Sequence, residues 1–167
     1  QNPYDLEMIS KILNKKIKNF DLILGSGVDL EKFKYTPLPK GKPIILFASR
    51  LLKSKGIYEF ICVAEKMKKL CRFIIVGKID HESDDSISLK ELNHWTDSGI
   101  VEYWGFKDNM HEIIGSSNVL IFPSYYGEGL PKILIEAAAC GRPVITTDNP
   151  GCKDAIRNGK TGFLVPI

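Results

Sequence analysis

The chain has 167 residues, of which 44% are hydrophobic and 26% are charged, a composition typical of one globular domain with a hydrophobic core. The formal net charge is only +3 and the Lys and Arg residues are spread along the chain, which excludes the dense basic face of nucleic-acid-binding proteins. No run of about 18 apolar residues predicts a membrane span, and four cysteines without C-x-x-C spacing favour a reducing, cytoplasmic location.

The first 40 residues differ in pattern from the rest of the chain. A short helical pattern covers residues 6–14, an apolar run follows at 20–24, and a turn-rich stretch contains Pro37 and Pro39. Such punctuation by Gly and Pro is typical of connecting segments. We therefore predict that residues 1–40 form a linker that leads into one domain of residues 41–167.

Beyond residue 40, short apolar runs alternate with longer segments of helical periodicity. The predicted strands are residues 43–48, 72–76, 100–103, 118–122, 143–146 and 162–165. The predicted helices are residues 57–67, 88–97, 109–115, 131–140 and 153–158. Strands that alternate with helices pair in parallel through right-handed crossovers. The predicted fold class is α/β, a Rossmann-like doubly wound parallel sheet.

In such sheets ligands bind beyond the carboxyl ends of the strands. The first strand is followed by Arg50, Lys55 and Gly56, next to the start of a helix. Free N–H groups and the positive end of the helix dipole, together with two cations, suit a phosphate. A solvated cationic loop explains the same residues, and this stretch alone does not decide between the two.

The loops after the second and third strands offer backbone rather than side-chain chemistry. Gly77 ends the second strand and permits close approach of a ligand, while the acidic residues 81–85 predict a mobile, solvated loop. After the third strand, Phe106 and Lys107 suit the edge of a flat base. The three histidines lack metal-ligand spacing, so no metal site is predicted.

The loop after the fourth strand, residues 123–131, is the most informative. Gly129 and Leu130 precede a helix and can direct backbone N–H groups at a ligand, beside Glu128. Glu136 follows Lys132 by four residues. Spacing alone leaves two interpretations open for Glu136, an exposed i,i+4 ion pair or a ligand-facing carboxylate.

Two further stretches imitate nucleotide-binding motifs without meeting them. Residues 158–161 (NGKT) lack the first glycine of a P-loop and lead into a strand, and residues 25–27 (GSG) lack the third glycine of a dinucleotide fingerprint. We do not count either as evidence of nucleotide binding.

Several stretches taken together resemble retaining GT-B glycosyltransferases of the glycogen-synthase-like superfamily, group 1 or family 4 type. Residues 49–56 (SRLLKSKG) resemble the G-R-L-x-x-x-K-G loop, and Glu128 and Glu136 match the E-x7-E motif. Residues 76–77 (VG), 101–105 (VEYWG), 122–124 (FPS), 141–145 (GRPVI) and 154–166 (DAIRNGKTGFLVP) follow in the family's order.

The resemblance implies one half of a two-domain enzyme with the donor site in this half. Residues 41–167 would be the C-terminal, nucleotide-sugar-binding domain, and residues 1–33 the linker from an N-terminal domain that this sequence lacks. The implied reaction transfers a sugar from a nucleotide-sugar, with a UDP-sugar favoured, to an acceptor hydroxyl with retention of configuration. The family pattern is most like that of enzymes for capsule, lipopolysaccharide and other bacterial surface polysaccharides.

The resemblance also implies roles for individual residues. Arg50 and Lys55 would neutralise the donor diphosphate, Glu128 would face the sugar, and these three are the predicted catalytic residues. The predicted donor-binding residues are Gly77, Phe106, Lys107, Gly129, Leu130 and Glu136, of which Glu136 would bind the ribose hydroxyls. No cofactor or metal is expected because the cation pair would do the electrostatic work.

The expected partners are the nucleotide-sugar and a glycan or lipid-linked acceptor reached through the other domain, with no nucleic acid. Peripheral association of the full-length enzyme with the inner face of the cytoplasmic membrane is a further expectation. Two alternatives remain: a non-catalytic nucleotide-sugar-binding module, and a GT-B sugar-nucleotide epimerase.

Overall fold

A computed structural model describes residues 3–167 and contains five α-helices and six strands over that range. The helices are α1 (Pro3–Ile12), α2 (Ile57–Met67), α3 (Leu89–Asp97), α4 (Met110–Gly115) and α5 (Lys132–Ala139). The strands are β1 (Ile44–Ala48), β2 (Arg72–Val76), β3 (Glu102–Tyr103), β4 (Val119–Phe122), β5 (Val144–Thr147) and β6 (Gly162–Val165). All six predicted strands are present.

The six strands form one sheet in the order β3-β2-β1-β4-β5-β6, and every neighbouring pair is parallel. The chain first moves outward from β1 to β3 and then returns to add β4 on the other side of β1. The order therefore reverses between β1 and β4. In open α/β sheets a crevice opens at this reversal, beyond the carboxyl ends of the two strands.

Each face of the sheet carries its own hydrophobic core. On one face, α2 and α3 cover strand side chains in a cluster that includes Phe47, Phe60 and Trp95. On the other face, α4 and α5 pack through Ile114 and Leu134 in a second cluster. Because both faces bury apolar side chains, the central strands are continuous apolar runs such as IILFA in β1 rather than alternating sequences.

The segment before β1 is fastened to this domain at its C-terminal end. Phe33 is buried in the second cluster, and a Cβ atom on Gly141 would lie 2.5 Å from the ring of Tyr35. Arg142 is 2% exposed and its guanidinium donates to the carbonyl oxygens of Thr36, Pro37, Ile114, Gly115 and Cys140. Five backbone acceptors thus satisfy a buried cation, and burial lowers its pKa.

One predicted helix is wrong. Residues 153–158 form only a short 3₁₀ turn at Lys153–Ala155, after which Ile156 is extended with φ −123° and ψ 136°. The Arg157 N–H donates to the Thr161 hydroxyl at 2.9 Å, and Gly159 has a φ of 75°. The side chain of Thr161 and the glycine turn therefore replace the helical hydrogen bonds.

Candidate functional site

The loops that follow β1 and β4 meet at the reversal of strand order. The carbonyl oxygen of Ser54 in the first loop accepts hydrogen bonds from the N–H groups of Tyr125 (3.0 Å) and Tyr126 (3.3 Å) in the second. Gly56 has a φ of 81°, and a Cβ atom there would lie 2.2 Å from the carbonyl oxygen of Pro123. Glycine is required at this position because the two loops are in backbone contact.

Lys55 and Glu128 form an ion pair inside this junction. Their side chains are 11% and 15% exposed. The Ser124 hydroxyl lies 3.0 Å from the same Glu128 oxygen, and the Lys55 ammonium sits 4.8 Å from the ring centroid of Tyr126. Two predicted catalytic residues are thus brought together, and each neutralises the other in this state of the chain.

Arg50, Gly77, Phe106 and Lys107 lie together on the wall of a cavity of about 240 Å³ beyond β1, β2 and β3. The remaining wall residues are Ala48, Ser49, Val76, Lys78, Met110 and Ile133. A Cβ atom on Gly77 would lie 1.8 Å from the Ser49 carbonyl oxygen, so glycine permits the two loops to touch. The Lys78 ammonium lies 4.3 Å from the Phe106 ring centroid. The cavity combines flat apolar walls with three cations.

Glu136 faces a second cavity of about 620 Å³, which adjoins the first through the shared wall residue Met110. Its wall consists of residues from the 26–33 segment, from α4 and the loop before it, and from α5: Ser26, Gly27, Val28, Asp29, Lys32, Phe33, Asp108, Met110, Lys132 and Glu136. Arg50 and the Glu136 carboxylate therefore line two different cavities that share Met110. A ligand that occupies both cavities meets the Arg50 guanidinium in the first and the Glu136 carboxylate in the second.

Glu136 is only 9% exposed, although it lies on an outer helix. Burial raises the pKa of its carboxyl, and the nearby ammonium groups of Lys132 and Lys32 partly oppose that rise. Lys132 Nζ lies 3.8 Å from Glu136 Oε1 and is itself 64% exposed. The exposed-pair interpretation is thus wrong for Glu136, because its carboxylate is buried and so is not part of a solvated surface pair.

Gly129 and Leu130 connect the ion pair to α5 and are packed from two sides. A Cβ atom on Gly151 would lie 2.0 Å from the Gly129 carbonyl oxygen, and one on Gly25 would lie 2.5 Å from Leu130 Cδ2. α5 itself begins at Lys132 with Pro131 as its N-cap. The two residues are held at the helix start, as predicted from the sequence.

The acidic loop between β2 and α3, which its composition predicts to be mobile and solvated, is anchored to the β1 loop by two of its carboxylates. Asp80 pairs with Arg50 at 3.0 Å. Asp85 accepts hydrogen bonds from the Ser54 N–H at 3.2 Å and from the Ser54 hydroxyl. Within the acidic run 81–85, His81, Glu82 and Asp84 are exposed, whereas Ser83 and Asp85 are half-buried. Both loops that face the cavity edge are therefore mutually fixed.

Several residues at the site escaped the sequence prediction. They are Ser124, Ser26, Gly27, Lys78, Asp108, Met110 and Ile133. The glycines of residues 25–27, discounted as a nucleotide motif, line or support the Glu136 cavity. The sequence position of these glycines gave no signal, because they lie far from every predicted strand end. They reach the site only through the fold.

Between residues 3 and 167 no three His, Cys, Asp or Glu side chains are grouped as a metal site would require. All four cysteines are free thiols. Over the same range no helix has the length and apolar character needed to cross a bilayer.

The sequence profile of the family described as glycosyl transferases group 1 matches residues 28–167. The chain belongs to this family. The match covers the first cavity, the second cavity except for Ser26 and Gly27, the Lys55–Glu128 pair and the fastened part of the linker, and it confirms the resemblance carried by the motifs.

Curated relatives are similar over much of the chain. An N,N'-diacetylbacillosaminyl-diphospho-undecaprenol alpha-1,3-N-acetylgalactosaminyltransferase of Campylobacter jejuni is 37% identical over 73% of this chain and 31% of its own length. The capsular polysaccharide biosynthesis glycosyltransferase CapM of Staphylococcus aureus is 29% identical over 96% of this chain and 48% of its own. The chain spans less than half the length of these relatives.

Solved structures show the same fold. Sucrose-phosphate synthase from Thermosynechococcus elongatus matches with a TM-score of 0.80 and 26% identity, over 99% of this chain and 44% of its own. Anabaena HepE in complex with UDP-glucose matches with a TM-score of 0.74 and 22% identity, over 87% of this chain and 43% of its own. The predicted Rossmann-like α/β fold, as found in GT-B glycosyltransferases, is confirmed.

Proposed function

We propose that this chain is the donor-binding, C-terminal domain of a retaining glycosyltransferase that uses a nucleotide-sugar, preferably a UDP-sugar. Family membership supports the reaction class. The observation that carries the proposal is the pair of adjoining cavities, one lined by Arg50 and the other by the buried Glu136. A nucleoside diphosphate has anionic phosphates and a neutral diol on the ribose, and the two cavities present a matching charge pattern.

The proposed donor position follows from the chemistry of the walls. The base lies in the smaller cavity, against the backbone of Phe106 and Lys107 and close to Gly77. The ribose hydroxyls donate to Glu136, whose carboxylate lies 3.8 Å from the Lys132 ammonium and shares its cavity with Lys32. Hydrogen bonds to a carboxylate that the fold already holds away from water are stronger than those to a solvated one.

The diphosphate then lies near the junction of the β1 and β4 loops, where Arg50 and Lys55 supply cations. Lys55 is paired with Glu128 in this state, so donor binding shares the ammonium between phosphate and carboxylate. As the bond between the sugar and the phosphate breaks, both cations stabilise the negative charge that develops on the leaving diphosphate. Glu128, freed in part from Lys55, faces the sugar together with the amides of Gly129 and Leu130. No metal is assigned a role.

The remaining proposals concern the whole protein. Retention of configuration is proposed to arise from attack of the acceptor hydroxyl on the same face that the leaving group vacates. The acceptor, a glycan or a lipid-linked glycan, is proposed to bind through an N-terminal domain outside this sequence. CapM is named for capsular polysaccharide biosynthesis and the Campylobacter relative for a diphospho-undecaprenol-linked acceptor. A role in bacterial surface polysaccharide synthesis at the inner membrane face is proposed on that basis.

Calorimetric titration of the chain with UDP, GDP and ADP tests the donor site. Arg50→Ala and Lys55→Ala should each weaken binding of the preferred diphosphate by roughly 1.5 to 3 kcal/mol, the range for hydrogen bonds to charged groups. Lys69→Ala is the matched control, because Lys69 is exposed beyond the end of α2 that points away from the site. Equal losses in all three variants would indicate only general electrostatics.

A second measurement separates an enzyme from a binding module. The chain joined to its N-terminal domain should transfer sugar from a UDP-sugar, and the anomeric configuration of the product is read by NMR. Binding of nucleotide without transfer would favour the module, and inversion would refute the retaining mechanism. Conversion of the free nucleotide-sugar without acceptor would identify an epimerase.

A further inference from the structure

Arg50, the predicted diphosphate ligand, is held at one point only. Its Nη1 group donates to Asp80 Oδ2 at 3.0 Å, and Asp80 is its one hydrogen-bond acceptor within residues 3–167. The Arg50 side chain is 64% exposed and that of Asp80 is 24% exposed. A long, exposed arginine without such a contact keeps up to about 2 kcal/mol of rotamer entropy that it must lose on binding a phosphate.

Asp80 is itself fixed by its own loop. Its other carboxylate oxygen accepts from the Glu82 N–H at 3.3 Å, and its N–H donates to the Ser86 hydroxyl at 3.0 Å. The Ser86 hydroxyl also lies 3.3 Å from the Leu51 carbonyl oxygen, one residue beyond Arg50. The carboxylate is therefore an anchored acceptor and not a freely rotating surface group.

The two loops are joined along their length as well as at Asp80. Leu52 and Ser86 form an isolated antiparallel bridge. The Lys53 N–H donates to the Asp85 carbonyl oxygen at 2.8 Å, and the Ile87 N–H to the Leu51 carbonyl oxygen at 3.0 Å. This short ladder keeps the position of Asp80 relative to Arg50 constant.

We propose that Asp80 is a positioning residue that orients the Arg50 guanidinium for the donor diphosphate. The carboxylate occupies one N–H of a fork with five and leaves the others for a ligand in the cavity that Arg50 lines. The inference rests on the proposed function for the identity of that ligand. It assigns a role to a residue of the acidic loop, which the sequence motifs leave without one.

A simple charge argument predicts the opposite effect of Asp80. A carboxylate near an anion site repels the diphosphate and competes for Arg50, so its removal should tighten binding. The anchoring of Asp80 and its single contact with Arg50 favour positioning. Asp80 occupies only one N–H group of Arg50, so a diphosphate can bind the other N–H groups without displacing the carboxylate. The sign of the change in affinity therefore decides between the two roles.

The first test compares Asp80→Ala with Asp84→Ala by calorimetry with UDP. Asp84 is exposed in the same loop, so its removal changes the charge equally without touching Arg50. Asp80→Ala should weaken binding about three- to tenfold, the order expected for loss of an ordered arginine contact, whereas Asp84→Ala should leave affinity unchanged or slightly raised. Tighter binding by Asp80→Ala than by Asp84→Ala would overturn the proposal.

A double-mutant cycle tests whether Asp80 acts through Arg50. In the Arg50→Ala background, Asp80→Ala should cause no further loss of UDP affinity. In the otherwise unchanged chain, Asp80→Glu should bind UDP more tightly than Asp80→Ala does. An undiminished loss in the Arg50→Ala background would refute the positioning role. Thermal unfolding of each variant checks that the loop remains folded.

A third measurement needs no nucleotide. The ¹⁵N order parameter of the Arg50 side-chain Nε–H group should fall in Asp80→Ala and stay constant in Asp84→Ala. An unchanged order parameter in Asp80→Ala would show that Asp80 does not hold Arg50. Failure of the unaltered chain to bind any nucleoside diphosphate would refute the proposed function, and the order parameter would still decide whether the side chain is positioned.

Discussion

Glu91 on α3 and Glu136 on α5 lie on helices that cover opposite faces of the sheet, and their surroundings are opposite too. Glu91 sits in the first turn of its helix among donors supplied by its own fold. Glu136 sits in the middle of its helix, buried beside a cavity. The two residues have the same side chain, so the difference lies in what each part of the fold provides.

Glu91 is accounted for by the start of its own helix together with Tyr58 of α2. Its carboxylate accepts from the Ser88 N–H at 2.8 Å and from the Tyr58 hydroxyl at 2.6 Å, while the Ser88 hydroxyl caps the Glu91 N–H. This is a capping box. The hydrogen bond from Tyr58 is the largest cause that lowers the Glu91 pKa to about 2, and it raises the Tyr58 pKa to about 12.

Within residues 3–167, Glu136 has no comparable set of donors. Burial raises its pKa, which means that the fold disfavours the charge it nevertheless holds. A buried carboxylate without local compensation lowers stability and is a feature of sites where a ligand supplies the missing donors. The contrast gives a criterion: a helical charge satisfied by hydrogen-bond donors of the fold is structural, and one left unsatisfied at a cavity is a candidate for binding.

The largest expected effect comes from removing the carboxylate at the cavity. Glu136→Ala should weaken UDP binding by about 1.5 to 3 kcal/mol because the ribose loses a charged acceptor. Glu91→Ala removes the same group from the other helix and should leave affinity unchanged. Calorimetry with UDP compares the two variants directly. Equal UDP affinities of Glu136→Ala and the unaltered chain would show that Glu136 forms only an ion pair with Lys132 and does not bind the nucleotide.

The next effect concerns stability at the capping box. Ser88→Ala should lower the free energy of unfolding by about 1 kcal/mol through loss of the N-cap, a fall in Tm of roughly 2–4 °C for a domain of this size. Affinity for UDP should not change, since α3 faces away from both cavities. Calorimetric unfolding measures the first effect. A loss of UDP affinity in Ser88→Ala would contradict the distinction between Glu91 as a structural carboxylate and Glu136 as a binding carboxylate.

A smaller effect of opposite sign is expected at the cavity. Glu136→Gln keeps the shape of the side chain and removes the buried charge, so the free energy of unfolding at neutral pH should rise by roughly 0.5 to 1 kcal/mol. The same variant should bind UDP more weakly. A variant that is more stable and binds less is typical of a functional position, and a decrease in Tm would contradict the stated electrostatics.

The smallest expected effect is a difference in pH dependence between the two glutamates. Their contributions to the free energy of unfolding should disappear over different pH ranges. A lowered pKa gives Glu91 a stabilising contribution that is present above its ordinary value of 4.5 and is lost as the pH falls toward about 2. A raised pKa makes Glu136 destabilising at high pH, and this penalty disappears as the pH falls through the raised pKa to 4.5. On acidification, the advantage of Glu136→Gln should therefore fade before the disadvantage of Glu91→Gln. Unfolding curves from pH 7 to pH 3 test the order.

The sequence predicts the sheet well because its strands are short apolar runs rich in β-branched residues. These runs differ clearly from the longer segments of helical periodicity between them. It predicts Arg50, Lys55 and Glu128 as neighbours of one crevice because each follows the end of a central strand. The Lys55–Glu128 ion pair, which depends on side-chain reach across two loops, is beyond such reasoning.

Other features depend on contacts between distant parts of the chain. Lys132 stands four residues before Glu136 whether the pair is exposed or buried, so the spacing carries no information on burial. The acidic loop has the composition of a solvated segment, yet backbone bonds to residues 51–54 fix it. Residues 153–158 carry a helical pattern that the Thr161 hydroxyl ends. In each case the deciding partner lies outside the local window.

Arg142 limits where the segment between α1 and β1 can bend relative to the sheet. Its guanidinium joins the carbonyl oxygens of Thr36 and Pro37 to those at the end of α4 and near the end of α5. Together with the buried Phe33, it makes the last part of the linker one body with the sheet. Any hinge between α1 and β1 must therefore lie before Phe33, and residues 33–37 transmit rotation without absorbing it.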